Sequence, residues 1–142
     1  MDPSLIKGPD GRFHMVWTIG WDQDSIAIAH SDNLYEWSLQ KALPVMAHKK
    51  NVQNCWNPEI FYDENSGQYY IYWASSLKGS FPKTANTTPD GRNHRIYYTT
   101  TKDFITYSPA KLMFDNDTNV ITPKIVQTRS GEYVMFVKNE SR

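Results

Sequence analysis

Three polar residues, Asp2, Asn57 and Thr122, each stand directly before a proline at matched places in a recurring pattern. A carboxylate, an amide and a hydroxyl brought to one point would line a polar pocket. Trp56 immediately precedes Asn57, and Glu59 immediately follows Pro58, so both belong near the rim of that pocket. Trp21 follows an apolar run and offers a flat indole able to stack on a sugar ring. His94 and Arg95 open a later apolar run and bring donors for hydroxyl groups.

These residues can meet only if the surrounding elements repeat, and they do. Pro3-Ser-Leu-Ile-Lys, a turn through Gly11 and Phe13-His-Met-Val-Trp17 form the first unit. Pro58-Glu-Ile-Phe-Tyr, a turn through Gly67 and Tyr69-Tyr-Ile-Tyr-Trp73 form the second. Pro123-Lys-Ile-Val-Gln, a turn through Gly131 and Tyr133-Val-Met-Phe-Val137 form the third. Each is a short strand, a glycine turn and an alternating strand, the pattern of a β-hairpin. The first two units continue alike. Ile28-Ala-His-Ser-Asp-Asn-Leu34 matches Tyr98-Thr-Thr-Thr-Lys-Asp-Phe104, and Trp37-Ser38 matches Tyr107-Ser108. That adds a third strand, a tight turn and a fourth strand to each.

A four-stranded antiparallel unit repeated at this length is a propeller blade. The fold expected is all-β, a partial β-propeller of about two and a half blades. Blade one covers 1–50, blade two 51–118 and the first hairpin of blade three 119–142. In a propeller the innermost strand of each blade starts at the central axis, which is how Asp2, Asn57 and Thr122 would converge. The hairpin ending near Asn139 would leave a strand edge open to a second copy or to companion blades.

Composition narrows the function. The 142 residues carry 15 basic and 15 acidic side chains, so no net charge draws in nucleic acid or anionic lipid. No apolar run is long enough to cross a membrane as a helix. His14, His30 and His48 lack metal-ligand spacing, and Asp115-Asn-Asp117 lacks the glycine and glutamate of a calcium loop, so neither a metal nor a cofactor is expected. The lone Cys55 has no base at a recognisable spacing and is taken as a small buried residue.

Three motifs in order carry a family resemblance. Asp2-Pro3-Ser4 resembles the Asp-Pro opening of glycoside hydrolase family 43 propellers. Trp56-Asn57-Pro58-Glu59 resembles that family's Trp-Ala-Pro-Glu/Asp opening of blade two. Ser31-Asp32-Asn33-Leu34-Tyr35-Glu36-Trp37 resembles its recurrent turn. The resemblance implies five blades and an inverting glycosidase acting on arabinose- or xylose-containing plant polysaccharide, secreted or periplasmic. It implies three carboxylates on three blades. The general base corresponds to Asp2. The residue that modulates the acid's pKa corresponds to Thr122, which is no carboxylate. The general acid opens blade four, past Arg142, so the chain alone is expected to be weak or inactive. Trp21, Trp56, Asn57, Glu59, His94 and Thr122 are the substrate-binding candidates. A non-catalytic carbohydrate-binding or assembly module is the alternative. A fructan-cleaving five-bladed enzyme is a second alternative, although Met1-Asp2-Pro3-Ser4 matches its opening less well.

Overall fold

The computed structural model describes residues 2–141. It contains ten strands and one short 3₁₀ turn at Pro82–Thr84. Strands β1 (Ser4–Lys7), β2 (Phe13–Thr18), β3 (Ile26–Ser31) and β4 (Lys41–Leu43) form one antiparallel sheet in sequence order. Strands β5 (Trp56–Asp63), β6 (Gln68–Ser76), β7 (His94–Thr101) and β8 (Lys111–Phe114) form a second with the same topology. Strands β9 (Val120–Gln127) and β10 (Tyr133–Asn139) pair as a hairpin. The chain is a partial β-propeller: two whole blades and the inner hairpin of a third.

The sequence repeat is matched in the backbone. Ser31 Oγ accepts from the N–H groups of Asn33 and Leu34, and Asn33 Oδ1 accepts from those of Tyr35 and Glu36. In blade two Thr101 Oγ1 accepts from Asp103 and Phe104, and Asp103 Oδ1 from Ile105 and Thr106. Leu34 and Phe104 both take positive φ. The motif shared by these segments is therefore a turn built by a hydroxyl and an Asx side chain satisfying four backbone donors. Its chemistry is structural.

Alternation along β6 assigns each face to a core. Tyr69, Ile71 and Trp73 point towards blade one and pack with Val16, Ile26, Ile28, Met46 and Ile60. Tyr72 and Ala74 point the other way and pack with Ile96, Val120, Ile125 and Met135. Blade two is thus apolar on both faces, the pattern of a layer sandwiched between neighbours. Cys55 is fully buried, and burial pushes its thiol up to about 12, so it stays an inert packing group.

Candidate functional site

An up-and-down meander puts the starts of β1, β5 and β9 at one end, together with connections 19–25, 44–55, 77–93 and 115–119. The remaining turns lie at the other end. The side chains two residues after Asp2, Asn57 and Thr122 show how the three strand starts meet. Ser4 Oγ donates to Glu59 Oε2 at 2.6 Å, and Lys124 Nζ donates to the same oxygen at 2.8 Å. Equivalent positions of three successive blades therefore share one carboxylate oxygen. Glu59 forms the joint between the inner strands, with one oxygen already doubly occupied.

Asp2, Asn57 and Thr122 share an unusual backbone as well. Their φ values are 51°, 49° and 53°. Left-handed geometry costs most residues on the order of 1–3 kcal/mol. Asp and Asn tolerate it best, whereas β-branched Thr does not. Three strained residues at matched blade openings form a set, and such strain concentrates at functional sites. Asp2 and Thr122 are exposed, and Asn57 is half-buried with its N–H donated to Thr18 Oγ1 at 3.0 Å.

The seam between blades one and two supplies the aromatic part. Trp21 is 66% exposed. Trp56 Nε1 donates to the Trp21 carbonyl at 2.9 Å, and the two rings meet edge to face at 5.5 Å. The Arg92 guanidinium lies over the Trp56 ring at 4.7 Å, and the His94 ring is 5.1 Å away. Trp56 is accordingly packed between neighbours, and Trp21 carries the open indole.

His94 is buried beneath this seam, and its tautomer follows from its partners. Asn54 Oδ1 accepts the Ser76 N–H, so Asn54 Nδ2 must be the donor to His94 Nε2, at 2.9 Å. His94 then carries its proton on Nδ1. Burial pushes its pKa down to about 4, which keeps the ring neutral. That Nδ1–H and the Arg92 Nε–H are both buried without an acceptor among the described residues. Spare donor capacity therefore collects around Trp56.

Arg95 does not face a ligand. It is fully buried and spends its donors on Asp115, Asn93, Thr84 and the His94 carbonyl. It holds the loop 77–93 from below. Arg92 is the residue that sequence reasoning missed. Its signal was its place in a Gly-Arg-Asn-His run just before β7, but nothing local announces a side chain that reaches another blade.

At the opposite end another group forms that spacing did not reveal. His14 Nδ1 lies 2.7 Å from His30 Nδ1, and His14 Nε2 lies 3.1 Å from Asp10 Oδ1. Tyr69 and Phe104 of blade two close over it. Among the described residues no group of three or more His, Cys, Asp or Glu is arranged to hold a metal ion.

A family model described as "Probable glycosyl hydrolase domain" matches residues 1–142. No curated protein sequence matches the chain. Solved structures share the fold. A native arabinanase from Bacillus subtilis aligns with a TM-score of 0.63 at 20% identity, over 96% of this chain and 47% of that one. An α-L-arabinofuranosidase from Lactobacillus brevis aligns at 0.71 with 16% identity, over 99% and 44%. A family 43 endo-arabinanase from Bacillus licheniformis aligns at 0.63 with 21% identity, over 96% and 47%. The chain spans just under half the length of each. At these identities the likeness is one of fold.

Proposed function

The chain belongs to the family of glycosyl hydrolase domains related to glycoside hydrolase family 43, and from that premise we propose that it is the base-bearing part of an inverting glycosidase site. Blade one covers 1–50, blade two 51–118, and the opening hairpin of blade three 119–142. The observation that carries the proposal is the meeting of three blade openings at Glu59, each preceded by a left-handed polar residue. The substrate class is arabinose- or xylose-containing plant polysaccharide, as two of the structural relatives are an arabinanase and an arabinofuranosidase.

In this reading the Asp2 carboxylate takes a proton from the water that attacks the anomeric carbon. Trp21 stacks on the sugar. Asn57 and Thr122 offer hydrogen bonds from the adjoining blade openings. Trp56, Glu59 and His94 shape the wall behind them. Inversion needs a second carboxyl group about 6.5–9.5 Å from the first, across the sugar. That group donates a proton to the leaving oxygen, and its help is worth roughly 10²–10⁴-fold. Glu59 is a poor source, because one of its oxygens already accepts from Ser4 and Lys124. The acid belongs to blades outside these residues.

A second reading has its own observation. Thr122 stands where the family pattern has a carboxylate, and a hydroxyl cannot raise another group's pKa by like-charge repulsion. The same mouth would then bind a sugar without cleaving it. Assays on aryl arabinofuranosides and xylosides distinguish the two. The 142-residue chain alone is expected to give background rates even on these activated leaving groups. The same chain completed by acid-bearing blades should turn over, and Asp2→Ala should abolish that turnover. Asp2-dependent turnover by the isolated chain would show that its acid lies within these residues. An assembled ring that binds pentose but never cleaves it would favour the binding module.

A further inference from the structure

We propose that Arg92 is a positioning residue of the sugar site: its guanidinium clamps the blade-one rim loop against Trp56 and so fixes the exposed indole of Trp21 as one wall of the mouth. The proposal rests on the sugar-binding reading above and names the residue that orders that wall.

Three contacts carry it. Arg92 Nη2 donates to Asp22 Oδ1 at 2.5 Å, and Asp22 is the residue next to Trp21. Arg92 Nη1 donates to Asp90 Oδ2 at 3.2 Å. The guanidinium also lies over the Trp56 ring, whose Nε1–H holds the Trp21 carbonyl. One side chain thus ties connection 19–25 of blade one to connection 77–93 of blade two. Its own backbone is anchored, since the Arg92 carbonyl accepts from Thr88 Oγ1 at 2.6 Å and from Asn119 Nδ2 at 2.9 Å. Asn119 leads directly into β9, so the anchor reaches the third blade.

Folding normally buries an indole; here the indole is held in place and left open. Trp21 is 66% exposed although its carbonyl, its neighbouring side chain and its ring are all engaged. Fixing an exposed aromatic lowers the entropy cost of ligand stacking. The local charge also selects. Asp22 and Asp90 outnumber the single Arg92, which favours a neutral sugar over a uronic acid. Lysine could not substitute, because only a forked guanidinium can donate to two carboxylates at once while lying over an indole.

The test uses the 142-residue chain, with Arg92→Ala, Arg92→Lys and the surface variant Asp22→Asn. Asp22 is exposed, so its substitution loosens the clamp without touching the core. The first readout needs no sugar: hydrogen exchange of the Trp56 indole N–H followed by NMR. Exchange should quicken about tenfold in Arg92→Ala and by a smaller factor in Asp22→Asn, without rescue in Arg92→Lys. The second readout is affinity for arabinotriose and xylotriose, which should fall in the same order. If the wild-type chain binds neither trisaccharide, the sugar reading fails and the clamp's role falls with it. If binding occurs and Arg92→Ala changes neither indole exchange nor affinity, the sugar reading stands and the clamp is overturned.

Discussion

Arg95→Ala is expected to destabilise the fold by about 3–5 kcal/mol, because it removes a fully buried guanidinium and leaves the buried acceptors around it without a donor. Arg95 Nε donates to Asp115 Oδ1 at 2.7 Å, and its Nη groups serve Asn93, Thr84 and the His94 carbonyl at 2.8–3.0 Å. The guanidinium also stacks under Phe81 at 4.2 Å. Asn93, Thr84 and His94 are buried and lose their donor out of reach of solvent, whereas the partly exposed Asp115 can turn to water. The melting temperature should fall by roughly 10 °C or more. Arg95→Met keeps most of the volume but none of the donors, so it should recover little. A thermal scan showing either variant within about 1 kcal/mol of wild type, on the scale typical of a surface change, would contradict this account of the loop. The same scan should show a much smaller loss for Asp22→Asn, whose ion pair is at the surface.

Acidification should weaken the protein well before its carboxylates protonate. Burial pushes both His30 and His94 down to about 4 from the ordinary 6.5, and the neighbouring His14 adds to the shift at His30. Below pH 6.5 the unfolded chain takes up protons that the folded chain refuses. Stability contributed by the neutral rings is therefore complete above 6.5 and drains away as the pH falls to about 4. The loss should be on the order of 3 kcal/mol for the two together, with the half-buried His30 discounted for solvent screening. His14, Asp10, Arg12 and Lys41 surround His30, while Asp90 and Arg92 face His94. Aspartates held below their ordinary value, Asp103 among them through the N–H groups of Thr106 and Ile105, contribute to acid unfolding only below that window. Urea midpoints measured between pH 7 and 4.5 check this. The slope should flatten in His30→Asn and His94→Gln, and a wild-type curve that is level across the window would refute it.

The fold was largely legible because its signal is local and repeated. Alternating strands, glycine turns and the Ser31–Ser38 and Thr101–Ser108 runs each encode a piece of backbone within about ten residues, the range over which turn chemistry acts. The run that resembles the family's recurrent turn is a turn in the structure too, built by a hydroxyl at Ser31 or Thr101 and an Asx at Asn33 or Asp103. The left-handed set was half legible. Asp2 and Asn57 are residue types that tolerate positive φ, but Thr122 is not, and only its place before Pro123 tied it to them.

The site was less legible because its contacts cross between blades. Sequence placed Glu59 near the rim, yet nothing near it forecasts that Ser4 and Lys124 meet on one of its oxygens. Arg95 looked like a donor for ligand hydroxyls and is instead consumed beneath the loop. Arg92 gave no local sign of the clamp it forms with Asp22. His14 and His30 lack ligand spacing along the chain, but adjacent strands pair them directly, as the β2–β3 register shows. Repeats reveal where elements lie; long side chains then reach across seams that no periodicity records.

The central claim is that the three blade openings and the Trp21–Trp56 seam form one sugar-binding mouth. An NMR titration of the isotopically labelled chain with arabinotriose and xylotriose tests it most directly. The account predicts saturable shifts confined to the indole signal of Trp21 and to backbone amides near Asp2, Asn57 and Thr122, with smaller movement at Trp56. Shifts centred instead on the opposite end, around Gly8–Arg12 and Lys102–Ala110, or signals unmoved by either sugar, would contradict it.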